Sequence, residues 1–391
     1  MNGELLVAIV FIALMGIFLW HERKKVEVKK ILFPFLYFVM YRSSAGLALM
    51  DRIGRRFERL LKAIVPFVIA LGFLGMIVIS YSLVSNLLLL FKEPAAASGV
   101  GLVLPIKAKG IFYVPFSYWI ISIFIIAGVH EIAHGIFARV YKMKVKSSGF
   151  AFLNVLVPVI PAAFVEPDEK ELSRRPAKEQ LAVFAAGPFA NVIFAFIFLG
   201  IFFLLAPLGE RVVSVDGVIV DGLAEGNFSA ERAGMVPGDL ILSVDSFKVM
   251  TMENLSLALE KKKPGETASI KTNRSSYKVV LGSRPDNATR PYLGANLAQH
   301  FSINEGFSSR YGEFSGRAFL WFLELLFFLY FLNIGIGLFN LAPMGPLDGG
   351  RMLLVGLQKF LPEERARALW KHIGIVLFAV VIITMLFAFL R

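Results

Sequence analysis

The sequence predicts a polytopic α-helical membrane protein of about six transmembrane helices with one inserted soluble α/β domain, and three observations predict it. The 391 residues are 57% hydrophobic and only 18% charged, where soluble domains carry about a quarter charged residues. That much apolar surface needs lipid to face. Apolar runs long enough to cross a hydrocarbon core of roughly 30 Å recur along the chain. Residues 208–305 break that pattern, with shorter hydrophobic runs and more Gly, Asp, Ser and Asn.

The N-terminal membrane region covers residues 1–112. Its first apolar run, 3–20, is preceded by Glu4 and followed by His21, Glu22, Arg23, Lys24 and Lys25. A cleavable signal has its positive charges first, so this run is a retained helix with its N-terminus outside. Residues 31–50 are apolar but interrupted by Arg42, a pattern that suits a re-entrant or interfacial segment. A span at 63–91 follows. Further spans at 113–141, 181–206, 317–342 and 368–390 belong to a core in two halves, 113–206 and 317–352, and to a C-terminal region, 353–391, of a cytoplasmic helix and a last span.

Segments 51–62 and 141–180 are rich in Lys and Arg, which places them in the cytoplasm. By alternation both termini and residues 208–305 lie outside. Within 208–305, strands are expected at Arg211 to Val220, Leu240 to Val244 and Tyr277 to Leu281, and a helix at Met252 to Lys262. The net charge of +12 sits in short blocks at the ends of apolar runs. These are topology anchors facing a lipid bilayer, and no nucleic-acid motif accompanies them. Cysteine is absent, which excludes thiolate nucleophiles and Cys-ligated metal.

The strongest local signal is His130-Glu131-Ile132-Ala133-His134. On a helix, positions i and i+4 share a face, so both imidazoles can bind one Zn2+ ion. Glu131 between them is then placed to deprotonate a water and protonate a leaving amine. Two His and a Glu within an apolar helix are costly unless they have a purpose.

Catalytic zinc takes three protein ligands and keeps one position open. His21 and His372 flank spans and His300 sits in the insertion, so the third ligand is sought among carboxylates at membrane depth, Asp348 and Glu324. Glu324 falls near the outer end of its span. Asp348 follows Asn340-Leu341-Ala342-Pro343-Met344-Gly345-Pro346-Leu347, where Pro and Gly break an apolar helix, as happens beside polar cavities. Depth agrees: His134 lies about 12 Å from the cytoplasmic end of its helix, the span at 317–342 runs inward to Asp348, and Asn191 begins a helix running outward. An amide at Asn191 can hydrogen-bond a substrate carbonyl or developing oxyanion, or serve only in helix packing.

H-E-x-x-H in one membrane helix, G-P-x-x-N at Gly187 to Asn191, and N-x-x-P followed by L-D-G-G-R at 340–351 together resemble the site-2 protease family of intramembrane metalloproteases. The resemblance implies that His130, His134 and Asp348 bind zinc, that Glu131 is the general base and that Asn191 assists. It also implies cleavage within or near transmembrane helices of other membrane proteins. Ser147 to Glu166, with Pro158 and Pro161, looks like the family's membrane-associated hairpin. An edge strand there would hold an unwound substrate; the alternative is a buried loop. Asn154 in that stretch and Pro188 in the second motif are the candidate substrate-binding residues of the core.

Residues 208–305 resemble a PDZ domain, through Ser229-Ala230-Glu231-Arg232-Ala233-Gly234-Met235-Val236-Pro237-Gly238-Asp239-Leu240-Ile241. Gly217 and Val218 are its candidate peptide-binding loop, with peptide termini as the ligand; a steric filter is the alternative role. Two rival classes are weighed: a catalytically silent scaffold acting through the PDZ-like domain, and a membrane metalloprotease acting on soluble segments.

Overall fold

The computed structural model describes residues 3–32, 36–93, 99, 101–155, 157–224, 228–284 and 287–390, without the side chains of 30–32, 36, 153–155 and 157–160. The chain divides into two compact units: residues 1–202 with 324–391, and residues 203–323.

The first unit opens with α1 (Gly3–His21), then β1 (Val26–Leu32), β2 (Leu36–Ser43), α2 (Leu47–Arg56), α3 (Glu58–Lys92), β3 (Leu102–Leu104) and β4 (Ile111–Tyr113). It continues through α4 (Phe116–Val140), β5 (Val145–Val155), β6 (Val157–Pro167), α5 (Glu169–Ser173) and α6 (Ala177–Val212). Helix α3 shows how the packing is encoded. It buries Val65, Val68, Gly72, Met76, Ile79 and Leu83, spaced three or four apart, which is one stripe of a 3.6-residue helix. Phe67, Leu74, Ile77 and Tyr81 stand exposed on its other faces. On a helix of this length and hydropathy, such an apolar face suits a lipid environment.

Residues 31–50, expected as a re-entrant or interfacial segment, are mostly extended strand rather than membrane-spanning helix. Where described they are strands β1 and β2 and the start of α2; residues 33–35 lie outside the described ones. An apolar strand and a short apolar helix read alike by hydropathy, and Arg42 ties this stretch to neighbouring strands. It pairs with Glu27 of β1 at 2.8 Å and with Glu166 of β6, and it donates to Ser147 of β5. Burial raises the Glu166 carboxyl, but Ser147 and Arg42 outweigh this and hold it below its ordinary value. The four strands form an antiparallel sheet in the order β1-β2-β5-β6, with Tyr41 opposite Phe150 and Phe150 opposite Ala163. The stretch read as a hairpin at 147–166 is therefore two paired strands, and β6 is an edge that packs on α4.

The second unit contains β7 (Val213–Leu223), α7 (Ser229–Arg232), β8 (Leu240–Val244), β9 (Phe247–Lys248), α8 (Met252–Glu260), β10 (Thr267–Thr272) and β11 (Ser276–Val280). After these come β12 (Gly282–Arg284), β13 (Asn287–Tyr292), β14 (Ala295–Ile303) and α9 (Glu305–Tyr311). A sheet ordered β11-β10-β8-β7-β14 folds over Val218, Val220, Ile241, Leu255, Ile270 and Val279. In β10, Ala268, Ile270 and Thr272 point inward and alternate with exposed residues. Thr251 caps α8 in a capping box with Asn254. Gly234 and Gly238, the two glycines of the quoted motif, have φ of +82° and +91°, which explains why the motif needs Gly there. This is the α/β arrangement expected of a PDZ-like insertion. The helix expected at Met252 to Lys262 ends at Glu260, and the strand expected from Arg211 begins at Val213 because α6 continues to Val212.

The chain ends with α10 (Glu313–Asn340), α11 (Asp348–Gln358) and α12 (Glu363–Leu390). Among the described residues, six helices are long and apolar enough to cross a membrane: α1, α3, α4, α6, α10 and α12. The protein is a multi-pass membrane protein. In its membrane unit the core joins α3, α4, α6, α11 and α12 through residues such as Val68, Phe137, Ala185, Met352 and Val381.

Candidate metal centre

Helix α4 supplies His130 and His134 on one face, as their spacing requires. The third residue comes from the broken end of α10. After Asn340 the chain turns through Pro343 and Pro346, closing Leu341 N–H to Leu338 O at 3.0 Å and Leu347 N–H to Met344 O at 3.0 Å, then restarts as α11 at Asp348. A Cβ on Gly349 would collide with the Leu341 carbonyl, and one on Gly350 with the Met344 carbonyl. The two glycines after Asp348 are thus what let the restarted helix fold back over the break.

The Nε2 atoms of His130 and His134 lie 3.0 Å apart. Asp348 Oδ2 is 3.0 Å from the first and 3.3 Å from the second. At zinc–nitrogen bonds of about 2.0–2.1 Å, the edge of a tetrahedron is roughly 3.3–3.4 Å. The three donors therefore outline one face of a zinc tetrahedron and leave its fourth corner open. Gly187 of α6 makes room beside them: a Cβ there would stand 2.5 Å from His134 Nε2 and 2.6 Å from His130 Nε2. The residues present fit zinc.

The far sides of both rings are also held. His134 Nδ1–H donates to the Val183 carbonyl at 2.7 Å, which leaves Nε2 free as a ligand. His130 Nδ1 lies 3.2 Å from Asn191 Nδ2, and Asn191 Oδ1 is buried without a partner. Glu131 Oε2 accepts from the Val165 N–H of β6 at 2.9 Å. These groups line one cavity of about 800 Å³ whose walls also include Phe164, Val165, Asn340 and Arg351.

The family model for Peptidase family M50 matches residues 118–381, more than half of the chain. The chain belongs to Peptidase family M50. An uncharacterized protein of Methanocaldococcus jannaschii is 29% identical over 80% of this chain and 75% of its own length. Zinc metalloprotease RasP of Shouchella clausii is 24% identical over 57% of this chain and 62% of its own length. A probable chloroplastic membrane metalloprotease of Arabidopsis thaliana is 26% identical over 49% of this chain and 54% of its own length. The solved PDZ domain of an SdrC-like protein from Listeria monocytogenes is 22% identical, covering 21% of this chain and 88% of that domain, with a TM-score of 0.19. As a member of the M50 family with a zinc-fitting donor set, the protein is a membrane zinc metallopeptidase.

In this M50 member the structure brings His130, Glu131, His134, Asn191 and Asp348 to one cavity. Glu324, read as lying at the wrong depth, is elsewhere and accepts from the Tyr118 hydroxyl at 2.8 Å. Pro188 does not line the cavity; it is buried, and its carbonyl would be 3.5 Å from a Cβ on Gly337 of α10. Asn154 lies in β5 opposite Pro158, and its side chain is outside the described ones. Gly217 and Val218 are not an open loop. They lie inside β7, Gly217 opposite His300 and Val218 opposite Gln299 of β14 and Ile241 of β8, and Val218 is fully buried. Gln299 Nε2 donates to the Gly217 carbonyl at 2.6 Å. Gly217 and Val218 both fall within the strand expected at Arg211 to Val220, and that strand signal outweighs the glycine. Asn340 is a cavity residue to which the sequence reading gave no role, although the N-x-x-P motif contains it.

Proposed function

We propose that this peptidase is an intramembrane protease, hydrolysing peptide bonds within or near transmembrane segments of other membrane proteins, with its metal centre towards the cytoplasmic side and its PDZ-like unit outside. One observation carries this reading: His130 and His134, on the membrane-length apolar helix α4, converge within 4.8 Å with Asp348, which follows the membrane-length helix α10 across its broken end. Two His and a Glu inside the apolar helix α4 are costly in a membrane unless they are paired or serve a site. The basic segments at 51–62 and 141–180 support the orientation.

Zinc, when bound, polarises the scissile carbonyl and lowers the pKa of a water. Glu131 then takes a proton from the attacking water and returns it to the leaving amine. Asn191 acts through His130: a half-turn of its amide puts Oδ1, otherwise unpartnered, on the Nδ1–H that a metal-binding neutral imidazole carries. The outer edge of β6 receives the substrate as an added strand. By the alternation of a strand, the residues sharing Val165's outward direction are Ala163 and Pro161, and Pro161 has no N–H. The edge thus offers a short, defined pair of donors, one of them now held by Glu131. An extended segment there is open to attack, whereas a helical peptide bond is shielded.

The test is cleavage of a model transmembrane substrate in detergent by the wild type and by Glu131→Gln, with zinc quantified in both. Cleavage by the wild type alone, with zinc in both, is the expected result. Cleavage by Glu131→Gln at the wild-type rate would remove Glu131 as the base. Loss of zinc from Glu131→Gln would make it part of the metal site instead.

A further inference from the structure

Helix α2 lies outside the motifs that build the metal centre, and its two faces differ in kind. Inward, Met50 is 1% exposed and Gly54 is buried. Outward stand Arg52, Arg55 and Arg56, around a shallow depression that they share with Ala48 and Asp51. Asp51 pairs with Arg139 of α4 at 2.9 Å. Among the described residues no carboxylate forms an ion pair with Arg52, Arg55 or Arg56; Arg55 Nε donates to the Asp51 carbonyl, and the Arg56 guanidinium sits 5.8 Å over the Phe57 ring. Leu49, Phe57 and Leu60 beside them are 46%, 43% and 59% exposed.

The membrane-length helix α3 starts at Glu58, two residues after α2 ends. That fixes α2 at the level where lipid headgroups lie. A row of unpaired guanidiniums flanked by exposed apolar side chains matches an anionic headgroup with its acyl chain beside it: guanidinium takes phosphate through paired N–H donors, and the apolar side chains enter the acyl boundary. A soluble anion would satisfy the charges but would leave Leu49, Phe57 and Leu60 uncovered.

We infer that the outward face of α2 is a binding surface for anionic phospholipid headgroups, held by Arg52, Arg55 and Arg56. The inward face braces the metal-bearing helix. A Cβ on Gly54 would be 3.3 Å from Arg139 Cβ and 3.5 Å from the Ile136 carbonyl, and Met50 fills the space over Gly135, the residue after His134. Headgroups on one face of α2 therefore load the helix that carries His130 and His134 through the other.

The full chain is reconstituted in nanodiscs of equal phosphatidylcholine and phosphatidylglycerol, and the lipids that it retains are counted by native mass spectrometry. Basic side chains near an anionic surface are each worth about 1 kcal/mol, about fivefold in binding. The wild type is expected to retain phosphatidylglycerol in preference, and Arg52→Gln/Arg55→Gln/Arg56→Gln to lose that preference at least about tenfold. Equal retention by both chains would overturn the inference. So would displacement of the lipid by millimolar glycerophosphoglycerol, which would mark a site for soluble phosphates. Retained zinc in the triple variant shows that its membrane unit is folded. Because the assay counts lipid, it reports even if the chain cleaves nothing, and its failure is distinct from failure of the protease reading.

Discussion

Two regions of this molecule place histidine against aspartate, and they differ in everything except the pairing. In the membrane unit, His130 and His134 meet Asp348 with side chains 9%, 11% and 14% exposed. In the inserted unit, His300 meets Asp216 at 2.6 Å, with side chains 34% and 35% exposed. Around the first pairing, three donors converge, the backs of both rings have partners, and Gly187 keeps the space clear. Around the second, among the described residues, no third ligand joins. A histidine–carboxylate contact is therefore not a metal site by itself. Convergence, burial and held rings make it one.

The comparison breaks most readily at Asp348. Asp348→Ala removes one of three protein ligands, so zinc should be lost on dialysis and proteolysis abolished. The loss of affinity should exceed the roughly 10–100-fold that changing a group behind a ligand costs. Zinc per chain by elemental analysis checks this, and full occupancy in the variant would show that Asp348 is not a ligand.

Asn191 sharpens the comparison, because it tests whether a held ring matters. Asn191→Ala should weaken zinc binding by about 10–100-fold in competition with a chelator, and Asn191→Asp should keep it, since a carboxylate also accepts from His130 Nδ1–H. If the amide served the substrate instead, both variants would bind zinc as the wild type does and only kcat would fall.

Much of this site is legible in the amino-acid sequence, because its parts obey local rules. The i, i+4 spacing of His130 and His134 is a helical statement, and the Pro and Gly residues around Asp348 announce a broken helix at a depth that can be counted. The PDZ-like motif was legible for the same reason: Gly234 and Gly238 sit where only a left-handed backbone serves. The β1-β2-β5-β6 sheet was not, since an apolar strand shares its hydropathy with a membrane segment, and only the remote partners Glu27 and Glu166 reveal what Arg42 is for. Nor was the contact between Glu131 and Val165 N–H visible, because strand pairing between residues far apart in sequence sets it. Gly217 failed in the opposite direction: a glycine suggested a loop, whereas pairing with both β8 and β14 makes β7 an interior strand.

The smallest expected effect falls on the exposed pair. Asp216→Asn keeps the shape of the side chain and removes its charge, and an ion pair this exposed contributes about 0–1 kcal/mol. Zinc per chain should be unchanged, proteolysis should stay within about twofold, and the loss of stability should be less than about 1 kcal/mol. Elemental analysis together with thermal unfolding of the purified chain measures each part. A fall in zinc in Asp216→Asn would mean that the inserted unit holds metal through His300, and the distinction drawn from convergence and burial would fail at the place where it looks simplest.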